Sequence, residues 1–155
     1  MGTTTAIRVG SDVLSVQQVT KSVAWFGDRY LHRVFTQHEI SSASGAPSVQ
    51  AARLAARFAA KEATIKVLRP IDHQPDWRSM EVQRHAGGWC TMALSGHAAD
   101  LAEEAGITDL AVSLTHEGDM AAAVVVALCR RNEPDAAGQP GRRVSLADTE
   151  DAVDG

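Results

Sequence analysis

The sequence predicts an α+β fold in which a small antiparallel sheet packs on a long central helix. Three observations point there. A helical stretch from about 48 to 68 stops at Arg69-Pro70, because proline cannot continue a helix. Strand-like segments at 80–85 and 89–94 flank Gly87-Gly88, a dipeptide suited to a hairpin turn. Two more, at 110–114 and 121–128, flank the polar turn Thr115-His116-Glu117-Gly118-Asp119. Helices together with antiparallel strand pairs in one chain define this class.

The elements follow in order. Ala6 to Val16 carries Ile7, Val9, Val13, Leu14 and Val16 around Gly10-Ser11-Asp12, a first strand expected to break or end near the acidic residue. Ser15 caps a helix from about Val16 to Trp25. Helical character resumes from Arg29 to Phe35, and Thr36 followed by Glu39 forms a capping box for one more short turn. Residues 41–47, rich in Ser, Gly and Pro, read as a flexible connection without chemistry of its own. Ser95 to Ala105 reads as a helix closed by Gly106.

Composition bounds the function. With 155 residues, 45% of them hydrophobic, the chain suits one domain with its own core. After Cys129 it changes to Pro, Gly, Arg and Asp, with four Arg against six acids, so residues 130–155 read as a disordered tail. The remaining body is nearly neutral, which argues against a general nucleic-acid binder. Cys90 and Cys129, without metal-type spacing, read as core thiols of a reducing, cytoplasmic compartment. Residues 1–10 lack the apolar run of a signal peptide. The longest apolar run, Met120 to Cys129, is ten residues and too short to span a bilayer.

One carboxylate stands where an apolar residue belongs. At about 100° per residue, Glu62 points the same way as Ala51, Ala55, Phe58, Ala59 and Ile65, whereas Arg53, Arg57 and Lys61 form a separate stripe. An unpaired carboxylate on a packed side costs several kcal/mol, so it must be protonated, paired or bound to a metal. A plain pair with Lys66, four residues on, is the competing explanation, worth roughly 0.2–0.5 kcal/mol on a helix surface.

Several segments together resemble the holo-acyl-carrier-protein synthase family of 4'-phosphopantetheinyl transferases. They are Val9-Gly10-Ser11-Asp12-Val13, Arg33-Val34-Phe35-Thr36 with Glu39, Arg57-Phe58-Ala59-Ala60-Lys61-Glu62-Ala63 with Lys66, and Val112-Ser113-Leu114-Thr115-His116. Their order and spacing match the family from about residue 7 to 129, making 1–129 the transferase domain.

The resemblance implies transfer of the phosphopantetheine arm of coenzyme A to a serine of an apo acyl carrier protein, with release of adenosine 3',5'-bisphosphate. It implies Asp12 and Glu62 as ligands of magnesium, an ion that takes oxygen ligands and commonly only one or two carboxylates. Asp12, Glu62 and Lys66 are then the catalytic set. Lys66 would neutralise charge on the departing phosphate or protonate it, and the general base is Glu62 itself or a metal-bound water. Arg57, Lys61, Ser113 and His116 match positions around the nucleotide half of coenzyme A. A homotrimer with active sites between subunits is also implied.

Carrier binding in the family uses a basic first helix. Lys21, Arg29 and Arg33 can supply the patch, with Asp28 interrupting it, although a solvated helix face explains the same charges. This chain departs from the family at Ser15 and Gln18, usually acidic and arginine, which bears on carrier identity. It departs again at Leu68-Arg69-Pro70-Ile71, where a glycine-rich turn is usual, so the wall of the coenzyme A pocket is expected to differ. Trp89 stands where proline is common. A non-catalytic coenzyme A or carrier-binding module on the same scaffold is the alternative reading.

Overall fold

The computed structural model describes residues 5–130; of the expected tail, 130–155, Arg130 is the last residue of a strand and the rest lies outside the described residues. In chain order the elements are β1 (Thr5–Ser15), α1 (Val16–Phe26), α2 (Asp28–Val34), α3 (Gln37–Ser42), α4 (Pro47–Leu68), β2 (Met80–Arg84), β3 (Cys90–Leu94), α5 (Gly96–Glu104), β4 (Ile107–Glu117) and β5 (Met120–Arg130). Antiparallel β1, β5 and β4, in that order, form one sheet, and the hairpin β2–β3 forms a second. The α+β expectation holds.

Local chemistry sets the helix ends. Ser15 accepts from the Gln17 N–H at 3.1 Å and donates to Asp119, whose carboxylate also accepts from Gln17 at 3.0 Å. That knot fixes the entry of α1 against the β4–β5 turn. At α3 both halves of the capping box form: Thr36 Oγ1 accepts from the Glu39 N–H at 3.2 Å, and Glu39 Oε2 accepts from the Thr36 N–H at 2.9 Å. Pro47 opens α4, where its missing N–H costs nothing. Arg69 closes it in the left-handed conformation, φ 55°, a geometry usually given to glycine.

β1 does not break at Gly10-Ser11-Asp12. It pairs without interruption along β5, with Gly10 opposite Val125 and Asp12 opposite Ala123. Gly10 serves a different purpose there: a Cβ at this position would overlap the carbonyl oxygen of Ala63 and lie 3.1 Å from Val67 Cγ2. The absent side chain therefore lets the α4 backbone approach the strand, two residues from Asp12. Gly10→Ala is expected to destabilise the protein by about 3 kcal/mol, because neither backbone can yield cheaply. Denaturant titration measures this, and an unchanged midpoint would remove the close approach as a constraint.

β4 and β5 are longer than their apolar runs. Thr115, His116 and Glu117 pair with Ala122, Ala121 and Met120, leaving Gly118 and Asp119 as the turn, with Gly118 at φ 57°. Polar residues remain in strand here because the ladder, rather than hydrophobicity, holds them.

Strand alternation gives the larger sheet two distinct faces. Leu14, Ala121, Ala123, Val125 and Ala127 point into the core against α4. Ile7, Val9 and Val13 of β1 point outward and are 60–65% exposed, beside the exposed Val124 and Leu128 of β5. Helix α4 is enclosed by the sheet, α1, α3 and β2, so its apolar side is not a stripe. Ala51, Ala52, Leu54, Ala55, Ala56, Ala59, Ala60, Ala63, Ile65 and Val67 are all buried, and so are Arg57 and Lys61. Two of the three residues of the stripe expected to be separate from the packed side are thus inside, whereas Arg53 and Glu62 are half-buried. Cys129 is buried and Cys90 half-buried, both as free thiols. No described helix is long and apolar enough to cross a membrane.

Candidate active site

The close packing of α4 on β1 brings Asp12, Glu62 and Lys66 together. Asp12 has the strand parity of Gly10 and Leu14, facing α4. Lys66 Nζ lies 3.0 Å from Asp12 Oδ1 and donates to the Ser11 carbonyl at 2.6 Å. Glu62 sits one helical turn earlier. Its carboxyl is held above the ordinary range by burial and by the negative charge of Asp12, with Lys66 pulling the other way. The partner that Lys66 bonds is thus Asp12, across elements, rather than Glu62 on its own helix.

A carboxyl whose ionisation is opposed by burial and by a second carboxylate seeks a cation. Among the described residues no group of three or more His, Cys, Asp or Glu side chains gathers to enclose a metal. The donor set at this place is the carboxylate pair of Asp12 and Glu62. It fits magnesium, which takes one or two carboxylates and completes its octahedron with water and phosphate oxygens. Lys66 is half exposed, so the pair opens to solvent.

The other expected ligand contacts lie elsewhere. Lys61, expected at the nucleotide half of coenzyme A, is completely buried: its ammonium pairs with Glu39 at 2.8 Å and donates to the carbonyls of Trp77 at 2.8 Å and Met80 at 2.7 Å. All three of its donors are taken. Burial lowers its proton affinity, and the charge and hydrogen bond of Glu39 oppose that lowering without cancelling it. Arg57, expected to grip phosphate, is 5% exposed and donates to the Arg53 carbonyl and to Ser42 Oγ at 2.9 Å, leaving Nε without a partner. Arg53 also donates to the Ser44 carbonyl at 2.6 Å. The 41–47 connection, expected to carry no chemistry, is thereby anchored to α4 by two arginines.

Ser113 is exposed on the outer face of β4, opposite the face that bears Asp12. His116 is exposed at the end of β4 and shares the inward parity of Asp12, but β5 stands between their strands, a separation of about 10 Å at ordinary strand spacing. One chain does not bring Ser113 or His116 to Asp12.

Glu39 is the residue whose importance sequence reading understated. It is completely buried, pairs with Lys61, and accepts from the backbone N–H of Val82 at 2.9 Å as well as from Thr36. Its capping role was visible in the sequence. A lysine amid alanines on the central helix was the available signal that a buried acid had to exist.

Residues 8–128 match the model of the 4'-phosphopantetheinyl transferase superfamily, and the chain belongs to that family. Within it, the similar curated proteins are holo-[acyl-carrier-protein] synthases. That of Desulforudis audaxviator is 37% identical over 120 residues, covering 77% of this chain and 91% of the relative. The Methylobacterium nodulans protein is 39% identical over 127 residues, covering 77% and 94%. Among solved structures, the Chronobacterium ammoniagenes synthase complex with coenzyme A superposes with a TM-score of 0.73 at 29% identity, covering 81% of this chain and 99% of that one. The Helicobacter pylori holo-[acyl-carrier-protein] synthase in complex with coenzyme A gives 0.67 at 26% identity, covering 77% and 99%.

Proposed function

We propose that Asp12, Glu62 and Lys66 are the catalytic centre of a holo-acyl-carrier-protein synthase, with Asp12 and Glu62 as the protein ligands of magnesium. The chain transfers the 4'-phosphopantetheine arm of coenzyme A to a serine of an apo acyl carrier protein and releases adenosine 3',5'-bisphosphate. The observation that carries the site assignment is the convergence of two carboxylates from distant segments beside a lysine that bonds one of them, Asp12.

The serine hydroxyl attacks the phosphorus that bears the pantetheine arm, and the bond from that phosphorus to the bridging oxygen breaks. Bound magnesium would supply charge neutralisation on the diphosphate. Glu62, whose proton affinity is raised by burial and by Asp12, is suited to accept the serine proton. Lys66 faces the accumulating negative charge and can release Asp12 to meet it, since an exposed pair of this kind is worth at most about 1 kcal/mol. Lys61 and Arg57 act as positioning residues, clamping α4 to Glu39 and to the loop before it.

The proposal includes a homotrimer in which Ser113 and His116 of one copy complete the site of the next around the nucleotide of coenzyme A. Its support is the apolar outer face of the sheet, Ile7, Val9, Val13, Val124 and Leu128, a patch of the kind monomers rarely expose. Val9→Glu is expected to shift the mass in light scattering from trimer to monomer and to remove activity with it; a monomeric but fully active variant would sink the shared site. The free thiols support a cytoplasmic setting.

Incubation with coenzyme A, magnesium and an apo carrier tests the reaction itself. The carrier should gain the mass of the arm, adenosine bisphosphate should appear in equal amount, and chelation should stop both. Undiminished transfer after chelation removes the metal from the assignment.

A further inference from the structure

Between α4 and β2 the chain runs over the surface, with residues 71–74 all exposed. Pro70 is half-buried and Pro75 buried, so prolines, which donate no backbone hydrogen bond, hold both ends of the excursion. Among the described residues the only hydrogen bond reaching 71–74 comes from α5: His97 Nε2, in its first turn, donates to the His73 carbonyl at 3.3 Å.

That contact sets the chemistry of the ring. A carbonyl can only accept, so in the neutral imidazole of His97 the proton sits on Nε2 and Nδ1 keeps its lone pair. Donation of one ring N–H to a backbone carbonyl is the way metal-binding histidines are commonly oriented, with the other nitrogen left for the ion. The ring of His73 lies beside it, with centroids 5.7 Å apart and planes inclined by 36°. With Zn–N bonds of about 2.0–2.1 Å, two imidazoles on one tetrahedral ion hold their centroids about 5 Å apart. The pair is within a small movement of that geometry, on a loop with little else to hold it.

Both histidines line a cavity of about 510 Å³ at the C-terminal end of α4. Arg8 and Arg69 also line it, opposed by Asp72 and Glu104, so these four charges cancel and leave no net repulsion against a cation. No third His, Cys, Asp or Glu joins the pair among the described residues. Water therefore fills the remaining positions, and the ion exchanges more readily than in a closed site of four protein ligands.

We propose that His73 and His97 form a zinc-binding site that staples the loop after α4 to α5. Imidazole nitrogen suits zinc, whereas magnesium prefers oxygen. The site is thus chemically distinct from the Asp12 and Glu62 pair and does not depend on the transferase reading. Its effect falls on a segment that begins three residues beyond Lys66, where the chain departs from the family's glycine-rich turn.

Calorimetric titration of zinc chloride into the full chain tests the site, with about 5 mM magnesium present to occupy the carboxylate pair. One zinc per chain is expected with a Kd below about 100 μM, and His73→Ala and His97→Ala should each weaken it about tenfold or more. In proton NMR, zinc should move two of the six histidine ring signals, the same two that the alanine variants lose. Both side chains are exposed, so the variants should keep the wild-type melting temperature without zinc. Only the wild type should gain thermal stability when zinc is added. Should an alanine variant fail to fold, His73→Gln and His97→Gln carry the same test.

A zinc affinity that either substitution leaves unchanged overturns the shared site. So does a zinc response confined to other histidine rings, or an equal shift of these two rings by magnesium alone.

Discussion

Glu62→Gln should abolish loading of the carrier, lowering kcat by about a thousandfold or more, the scale on which a charged group at a reacting centre acts. It should do so without unfolding the protein. Glutamine keeps the size of the side chain, and the charge it removes is one that burial and Asp12 both disfavour. The thermal midpoint of the metal-free protein is therefore expected to hold or rise, the usual sign of a residue kept for activity at the expense of stability.

The pH dependence has a definite direction. A carboxyl whose proton affinity is raised by folding binds more protons in the native state, so its contribution to stability falls as pH rises from the unfolded pKa through the folded one. In Glu62→Gln that fall should disappear. Full turnover in the variant would take Glu62 out of the mechanism, and a collapsed midpoint would make it a structural residue.

Glu39→Ala should have the largest effect on stability. It leaves Lys61, completely buried, without its counter-charge, and removes the acceptor for the N–H groups of Thr36 and Val82. Breaking a buried pair from one side costs about 3–5 kcal/mol, which in a domain of this size lowers the melting temperature by on the order of 10–20 °C. Replacing both partners by methionine removes the stranded charge but still orphans the amides of Thr36 and Val82 and the carbonyls of Trp77 and Met80. Recovery in Glu39→Met/Lys61→Met should accordingly be partial, with a coupling energy in the double-mutant cycle of about 2 kcal/mol. A loss below about 1 kcal/mol in Glu39→Ala would show that water or a rearranged side chain satisfies Lys61 at little cost.

Much of the architecture was legible because its causes are local. The capping box of Thr36 and Glu39, the cap at Ser15 and the proline after Arg69 all act within a few residues of themselves, and each stands where the spacing put it. The hairpin at Gly87-Gly88 was legible for the same reason. Strand lengths were not: Thr115 to Glu117 look like a turn when judged by polarity, and only pairing with β5 shows them to be strand.

The site divides along the same line. An acid out of place on α4 singled out Glu62, and the family's motifs added Asp12 and Lys66; the structure places these three side by side. Lys61 and Arg57 carry the charges expected to meet a ligand, yet both are buried. Helical periodicity tells which residues share a face and says nothing about what covers that face.

The sequence by itself determined where the helices begin and end, to within about a residue, and which carboxylate on α4 needed a partner, because capping, turn chemistry and periodicity are properties of neighbouring residues. Tertiary structure alone decided that Glu39 rather than solvent or a ligand receives Lys61, that Lys66 bonds Asp12, and that Trp25 and Phe26 stay outside. Those outcomes depend on which elements enclose α4 and on the desolvation each charge meets there, and both arise only when segments far apart in the chain are packed together.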